Sequence, residues 1–150
     1  MDDLRSAAVP GVRDDDHVRG DGPNIVVFYA DLTCPHCAVA HERLTEDPAH
    51  PRVVFRHLAL KTRHPRALAL AHAAEAAAAQ GAFWEFADAT YADQGRLEDP
   101  HLWERACLLG LDVGRFDAER RSEAAAARVQ RDVKDALRAG ATGTPTLFNL

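Results

Sequence analysis

The stretch VVFYADLTCPHC, residues 26–37, joins an apolar run to two cysteines that lie three positions apart. The run is β-branched, aromatic and apolar at successive positions from residue 24 to residue 30, which is typical of a strand buried on both faces. Pro35 suits the first position of a helix. Cys34 and Cys37 are therefore expected where a central strand passes into a helix.

The rest of the chain predicts a second strand, a block of helices and a final strand. RVVFRHLAL, residues 52–60, follows the helix expected over residues 35–45, so a right-handed βαβ crossover with parallel strands is predicted. Four more helices are expected over residues 65–80, 82–94, 100–111 and 116–139. In the last segment, ATGTPTLFNL, residues 141–150, the residue types predict a strand at residues 146–148. The pattern predicts an α/β fold.

Composition narrows the class of protein. The chain has 150 residues, of which 47% are hydrophobic, and this suffices for one globular domain. The formal charge is −5 with scattered Lys and Arg, so neither nucleic acid nor anionic lipid is expected as a partner. The apolar stretches are interrupted or too short to span a bilayer, so no membrane insertion is expected.

The first 23 residues are acidic and contain Pro and Gly. They lack the basic start and continuous apolar segment of a secretory signal, so a cytoplasmic location is predicted. We expect residues 1–23 to form a flexible N-terminal arm whose acidic run, residues 14–16, is solvated. Residues 17–19 are an alternative candidate for a short edge strand.

Cys34 and Cys37 can be a structural disulfide, half of a metal site or a redox couple. Structural disulfides are seldom kept in the cytosol. A crosslink that closes only four residues also stabilises little, under about 2 kcal/mol in the chain-entropy model. Catalysis or metal binding is therefore favoured. Cys107, the one other cysteine, lies in an apolar helical pattern and is expected to be a small buried hydrophobe.

Helix geometry favours the redox couple. If Cys34 caps the helix, the free amides of His36 and Cys37 point back at its sulfur and, with the helix dipole, favour a thiolate. An imidazolium at His36 would add to this effect. Positions i and i+3 lie about 5 Å apart, which a disulfide accepts. Because the reduced state is the stabilised one, such a site is expected to oxidise other thiols.

With GTPT at residues 143–146, the CPHC stretch resembles the DsbA-like branch of the thioredoxin superfamily over roughly residues 24–150. The resemblance implies a thioredoxin-like fold with a helical insertion, about residues 61–139, between the βαβ unit and a strand entered through a cis-proline. It also implies a thiol–disulfide oxidoreductase that acts on protein or small-molecule thiols, uses no metal or organic cofactor, and is served by a redox partner that the sequence does not identify.

Site residues carry over from the resemblance one by one. Cys34 corresponds to the attacking cysteine and Cys37 to the resolving cysteine. Pro35 and His36 form the dipeptide between them, and His36 is the residue that tunes the thiolate. These assignments predict where the chemistry takes place.

The resemblance also covers the far end of the chain. Pro145 corresponds to the cis-proline, and the backbone of Thr144 before it would pair with a substrate strand. Phe28 stands where many relatives have a buried acid under the resolving cysteine, and Asp31, at the strand's end, is expected to be a poor substitute. The family continues with another strand and a helix, whereas this sequence stops at Leu150. Either the chain is truncated, or the sheet has an open apolar edge, which would favour association with a partner, including a second copy of the chain.

Two alternatives to the enzyme remain open. One is a zinc-binding thioredoxin-like module, since His41 lies one helical turn after Cys37 and further histidines are present. Those further histidines are His36, His57, His64 and His72. The other alternative is a thioredoxin-like domain that only binds a partner.

Overall fold

The computed structural model describes residues 7–150 as one four-stranded sheet with six helices. The strands are β1 (His17–Arg19), β2 (Ile25–Ala30), β3 (Arg52–His57) and β4 (Thr146–Asn149). The helices are α1 (Pro35–Glu46), α2 (Ala67–Ala79), α3 (Phe83–Tyr91), α4 (Asp99–Leu108), α5 (Val113–Glu119) and α6 (Glu123–Arg138). The order of strands and helices confirms the predicted α/β fold with a helical insertion before the last strand.

Strand β2 lies between two partners in the sheet, whose order is β1-β3-β2-β4. It pairs in parallel with β3, as a βαβ crossover requires, and antiparallel with β4. Tyr29, near the end of β2, lies opposite Thr146, the first residue of β4. This register brings the segment that leaves β2 next to the segment that enters β4.

Alternate residues of β2 serve two hydrophobic cores. Phe28 is fully buried and meets Phe55 of β3 edge to face, with ring centroids 5.6 Å apart, in the core that also receives α1 to α5. Val27 and Tyr29 face the opposite way and pack in the core beside α6. The period of two is that of a strand buried on both faces. None of the helices in residues 7–150 combines the length and apolarity needed to cross a membrane.

The single helix predicted over residues 116–139 is wrong, because the structure has two helices there. The helix α5 ends at Glu119, and α6 begins at Glu123 after the cap residue Ser122. The Ser122 hydroxyl oxygen accepts the backbone N–H of Ala125 at 3.1 Å. A serine cap followed by Glu123 in the first turn starts a new helix, so the chain turns here although the apolar spacing looks continuous.

The flexible, solvated arm predicted for residues 1–23 is wrong from residue 7 onward; residues 1–6 lie outside the described part of the chain. The guanidinium of Arg56, a fully buried β3 residue, donates to both carboxylate oxygens of Asp16 at 3.0 and 2.8 Å. It also donates to the carbonyls of Pro10 and Gly11, each at 2.8 Å. Burial alone would raise the pKa of Asp16, but the bonds from Arg56 lower it. Residues 7–23 therefore pack on the sheet, and β1 pairs with β3.

Replacing Asp16 tests this packing. We expect Asp16→Ala to lower the free energy of unfolding by about 3 kcal/mol, because it leaves the Arg56 charge buried without its partner. The exposed neighbour Asp14 is the matched control, and Asp14→Ala is expected to change stability by less than about 0.5 kcal/mol. Urea denaturation measures both. Equal effects of the two substitutions would contradict a docked N-terminal segment.

Candidate active site

The CPHC segment lies at the start of α1, as predicted. Cys34 is the N-cap residue with extended backbone angles, φ −83° and ψ 123°, and Pro35 opens the helix. The predicted bonds from the helix amides to the Cys34 sulfur are wrong for this conformation, since no cap bond to that side chain is present in the described chain. The Cys34 thiol, in a residue only 3% exposed, instead donates to the carbonyl oxygen of Thr144 at 3.9 Å.

Cys37 lies three residues after Cys34, in the first turn of α1. It is fully buried, and its sulfur accepts the backbone N–H of Asp31 at 3.5 Å. Burial raises the pKa of the Cys37 thiol well above its usual value. Both cysteines are thiols in this structure. Cys37 is therefore a protonated thiol, buried below Cys34 at the start of α1.

The segment that enters β4 meets the helix start. The peptide bond between Thr144 and Pro145 is cis, and the Thr144 carbonyl is the group that faces Cys34. The Thr146 hydroxyl donates to the carbonyl of Gly143 at 2.6 Å, which closes the turn before the strand. Two sequence-predicted parts of the site, 110 positions apart, are thus in contact.

A groove runs between α1 and the start of β4. It is a cavity of about 590 Å³, and it reaches Thr144 beside Cys34. Its walls include His36, Val39, Arg43, Pro145 and Leu147. Val39 and Leu147 are 46% and 45% exposed, although both are apolar. Such a surface suits an extended peptide with apolar side chains.

Two side chains of the insertion, which the sequence did not single out for this role, hold the loop between β2 and α1. The Tyr91 hydroxyl donates to the carbonyl of Asp31 at 3.2 Å. The Gln94 amide donates to the carbonyls of Leu32 and Cys34, each at 3.0 Å. Tyr91 could be recognised only as part of an aromatic helix face, and no sequence signal identifies Gln94.

Asp31 directly follows β2, as predicted, but it is buried, at 2% exposure. One carboxylate oxygen accepts the backbone N–H and the hydroxyl of Thr33 at 2.8 and 2.7 Å. The other oxygen is buried and has no hydrogen-bond partner among the described residues. Phe28, at the position of the missing acid, lies in the apolar core. Asp31 is therefore the buried carboxylate residue in the loop between β2 and α1, and its backbone contacts the Cys37 sulfur.

The structure does not bring His41 and the two CPHC cysteines together as zinc ligands. The Nε2 atom of His41 lies 2.7 Å from a carboxylate oxygen of Asp88. Burial lowers the pKa of His41, against the raising effect of Asp88. Cys34, Cys37 and His41 do not form a group of converging ligand atoms in residues 7–150, where a different trio does.

Comparison with known proteins places this geometry in a family. The model of the DSBA-like thioredoxin domain matches residues 25–149. A thioredoxin-like oxidoreductase from Silicibacter pomeroyi DSS-3 superposes with a TM-score of 0.80 at 24% identity, covering 91% of this chain and 81% of that one. Pseudomonas aeruginosa DsbA2 superposes with a TM-score of 0.72 at 27% identity, covering 93% and 82%.

Curated relatives carry a different name. The Na(+)/H(+) antiporter NhaA 3 of Salinispora tropica is 43% identical over 145 residues, which are 93% of this chain and 22% of that protein. The Na(+)/H(+) antiporter NhaA of Herminiimonas arsenicoxydans is 42% identical over 139 residues, 89% of this chain and 22% of that protein. The chain spans about a fifth of the length of these relatives.

The burial of the cysteines predicts their order of alkylation. Cys107 is exposed, contrary to the buried position expected from its helical pattern, because it lies on the outer side of α4. In the native reduced protein, iodoacetamide should modify Cys107 at least about 100-fold faster than Cys37, whose thiol is buried and protonated. Peptide mass spectrometry follows both sites. Equal native rates would contradict the buried position of Cys37, and unfolding in urea should make the two rates equal.

Proposed function

Because the chain belongs to the DSBA-like thioredoxin domain family, we propose that it is a thiol–disulfide oxidoreductase that works through Cys34 and Cys37. One observation carries the proposal. Cys34, at the start of α1, lies against the Thr144 carbonyl of the cis Thr144–Pro145 segment, beside an apolar groove. A substrate bound in that groove would bring its own sulfur to Cys34.

The proposed reaction begins with a disulfide between Cys34 and Cys37. A substrate thiolate attacks the Cys34 sulfur, the bond between the two cysteines breaks, and Cys37 leaves as a thiolate that takes up a proton. A second substrate thiolate then attacks the substrate sulfur of the mixed disulfide, and Cys34 leaves as a thiolate. Two electrons pass from the substrate to the cysteine pair, and the substrate gains one disulfide.

We propose oxidation as the preferred direction. The start of α1 favours an anion at Cys34, and this stabilisation is lost when Cys34 forms a disulfide. Because this effect stabilises the reduced pair, it makes the disulfide a stronger oxidant.

Substrate recognition is proposed to use the groove. An extended substrate segment would pair with the backbone of Thr144 and pack its side chains on Val39 and Leu147. His36 lies exposed at the rim, where it would meet the substrate and where an imidazolium, when present, would favour the thiolate. Protein thiols, small thiols and the redox partner would all use this surface.

Single cysteine substitutions test the enzyme directly. Cys34→Ser is expected to lower the rate of oxidation of a peptide dithiol by at least about 10³-fold, because it removes the sulfur that the substrate thiolate attacks. Reduced Cys37→Ser is expected to attack a peptide disulfide and accumulate a mixed disulfide at Cys34, since nothing resolves it. Cys107→Ser is the control and should keep the parent rate. A Cys34→Ser protein that oxidises the peptide normally would overturn the proposal.

The antiporter relatives favour a second, compatible role. Sequences up to 43% identical to this chain form about a fifth of proteins named as Na(+)/H(+) antiporters. We propose that this domain also serves as the redox-active part of such an assembly, so that the state of Cys34 and Cys37 changes ion exchange. The role requires coupling between the cysteine pair and the transporter.

Domain replacement tests the coupling. The matching segment of the Salinispora tropica antiporter would be replaced by this chain, either unchanged or as Cys34→Ser/Cys37→Ser. In membrane vesicles, we expect the unchanged chain to make sodium–proton exchange differ at least about fivefold between oxidised and reduced glutathione, and the double variant to remove the difference. Exchange rates that ignore the glutathione state in both proteins would refute the second role.

A further inference from the structure

Three potential metal ligands converge outside the CPHC site. His17 of β1, His57 of β3 and Glu75 of α2 place one ligand atom each within 4.8 Å of one another. The Nε2 atoms of the two histidines lie 2.7 and 2.8 Å from the same oxygen of Glu75. We propose that this trio binds one divalent transition-metal ion, for which Zn²⁺ is the probe.

The donor set suits such an ion. Two imidazole nitrogens and one carboxylate oxygen are ligands that Zn²⁺, Co²⁺ and Ni²⁺ accept. Ligands bound at about 2.0–2.1 Å around a tetrahedral ion lie roughly 3.3 Å from one another. On binding, each nitrogen of His17 and His57 would move about 0.5 Å farther from the Glu75 oxygen, and all three ligand atoms already lie within 4.8 Å of one another.

The ligands are held in place by their surroundings. The ring of His17 stacks on Phe83, with centroids 3.7 Å apart and planes 6° apart. The backbone N–H of His57 donates to Asp132 at 3.1 Å, and its ring packs edge-on against Phe55. An ion would meet side chains that are already ordered, so little conformational entropy is lost on binding.

Neighbouring charges leave the site close to balanced. The Arg128 guanidinium lies 3.9 Å from the second oxygen of Glu75, and it is itself 3.3 Å from Asp132 and 3.8 Å from Asp16. The ionised Glu75 would partly neutralise a divalent ion. The Arg128 charge is offset by these two aspartates and by Asp15, whose carboxylate lies 3.8 Å from it.

Solvent reaches two of the three ligands, Glu75 and His17, whereas His57 is buried. A cavity of about 480 Å³ is lined by Glu75 together with Glu119 and Ser122. The side chains of His17 and Glu75 are 13% and 11% exposed. This opening provides an entry path and water to complete the coordination. A bound ion would join β1 to β3 and α2, and so fasten the N-terminal segment.

The test measures Zn²⁺ binding by titration calorimetry on the full chain with Cys34, Cys37 and Cys107 replaced by Ser. This background removes thiol ligands and makes the result independent of the redox proposal. We expect one Zn²⁺ per chain, and Glu75→Gln or His17→Asn should each weaken binding by at least about 100-fold. His72→Asn, one helical turn before Glu75, is the matched control and should bind as the parent does.

A second measurement keeps the test independent of the folding of the variants. In the parent background, Zn²⁺ should shift the ring ¹⁵N resonances of His17 and His57 and leave those of His72 unchanged. The visible spectrum of the Co²⁺ form should report nitrogen and oxygen ligands. Absence of stoichiometric Zn²⁺ binding would overturn the proposal, and so would a folded Glu75→Gln protein that binds as tightly as the parent or a shift confined to other histidines.

Discussion

The double pairing of β2 is the constraint on which the rest of the structure depends. Parallel pairing with β3 and antiparallel pairing with β4 bury this strand on both edges and both faces. The chain leaves β2 toward Cys34 and enters β4 through Thr144 and Pro145, so the two pairings bring these segments together. Hydrogen bonds from Tyr91 and Gln94 then hold the loop that carries Cys34. The scaffold therefore sets the geometry of the site before any substrate arrives.

Local sequence patterns predicted the parts of the fold whose causes are local. The strand β2 and the start of α1 are visible because an apolar run is followed by a proline suited to a first helical turn. The pairing of Asp16 with Arg56 is not visible, since the residues are 40 positions apart and each looks like an ordinary charged residue. The contact between Cys34 and Thr144 was expected only through a family resemblance. The outward position of Cys107 depends on how α4 packs, which periodicity alone did not determine.

The end of β3 gives the N-terminal segment its order. Consecutive residues of β3, Arg56 and His57, point to opposite faces of the sheet, and each is connected to one of two consecutive N-terminal residues, directly or through a shared partner. Arg56 binds Asp16 on one face, whereas His57 and His17 share Glu75 on the other. Polar groups at such depth are costly unless they are paired. The N-terminal segment is thus held from both faces, and a metal ion at the second contact would strengthen that hold.

The equilibrium between the cysteine pair and glutathione tests the central claim most directly. The full chain would be incubated in buffers of defined ratios of oxidised to reduced glutathione, and the disulfide between Cys34 and Cys37 quantified after acid quenching and mass spectrometry. The account predicts an intramolecular disulfide with a potential closer to the roughly −120 mV of strong oxidants than to the roughly −270 mV of thioredoxin. Failure of the two cysteines to form a disulfide at any ratio would contradict the account, and a potential at or below about −270 mV would contradict the oxidising direction.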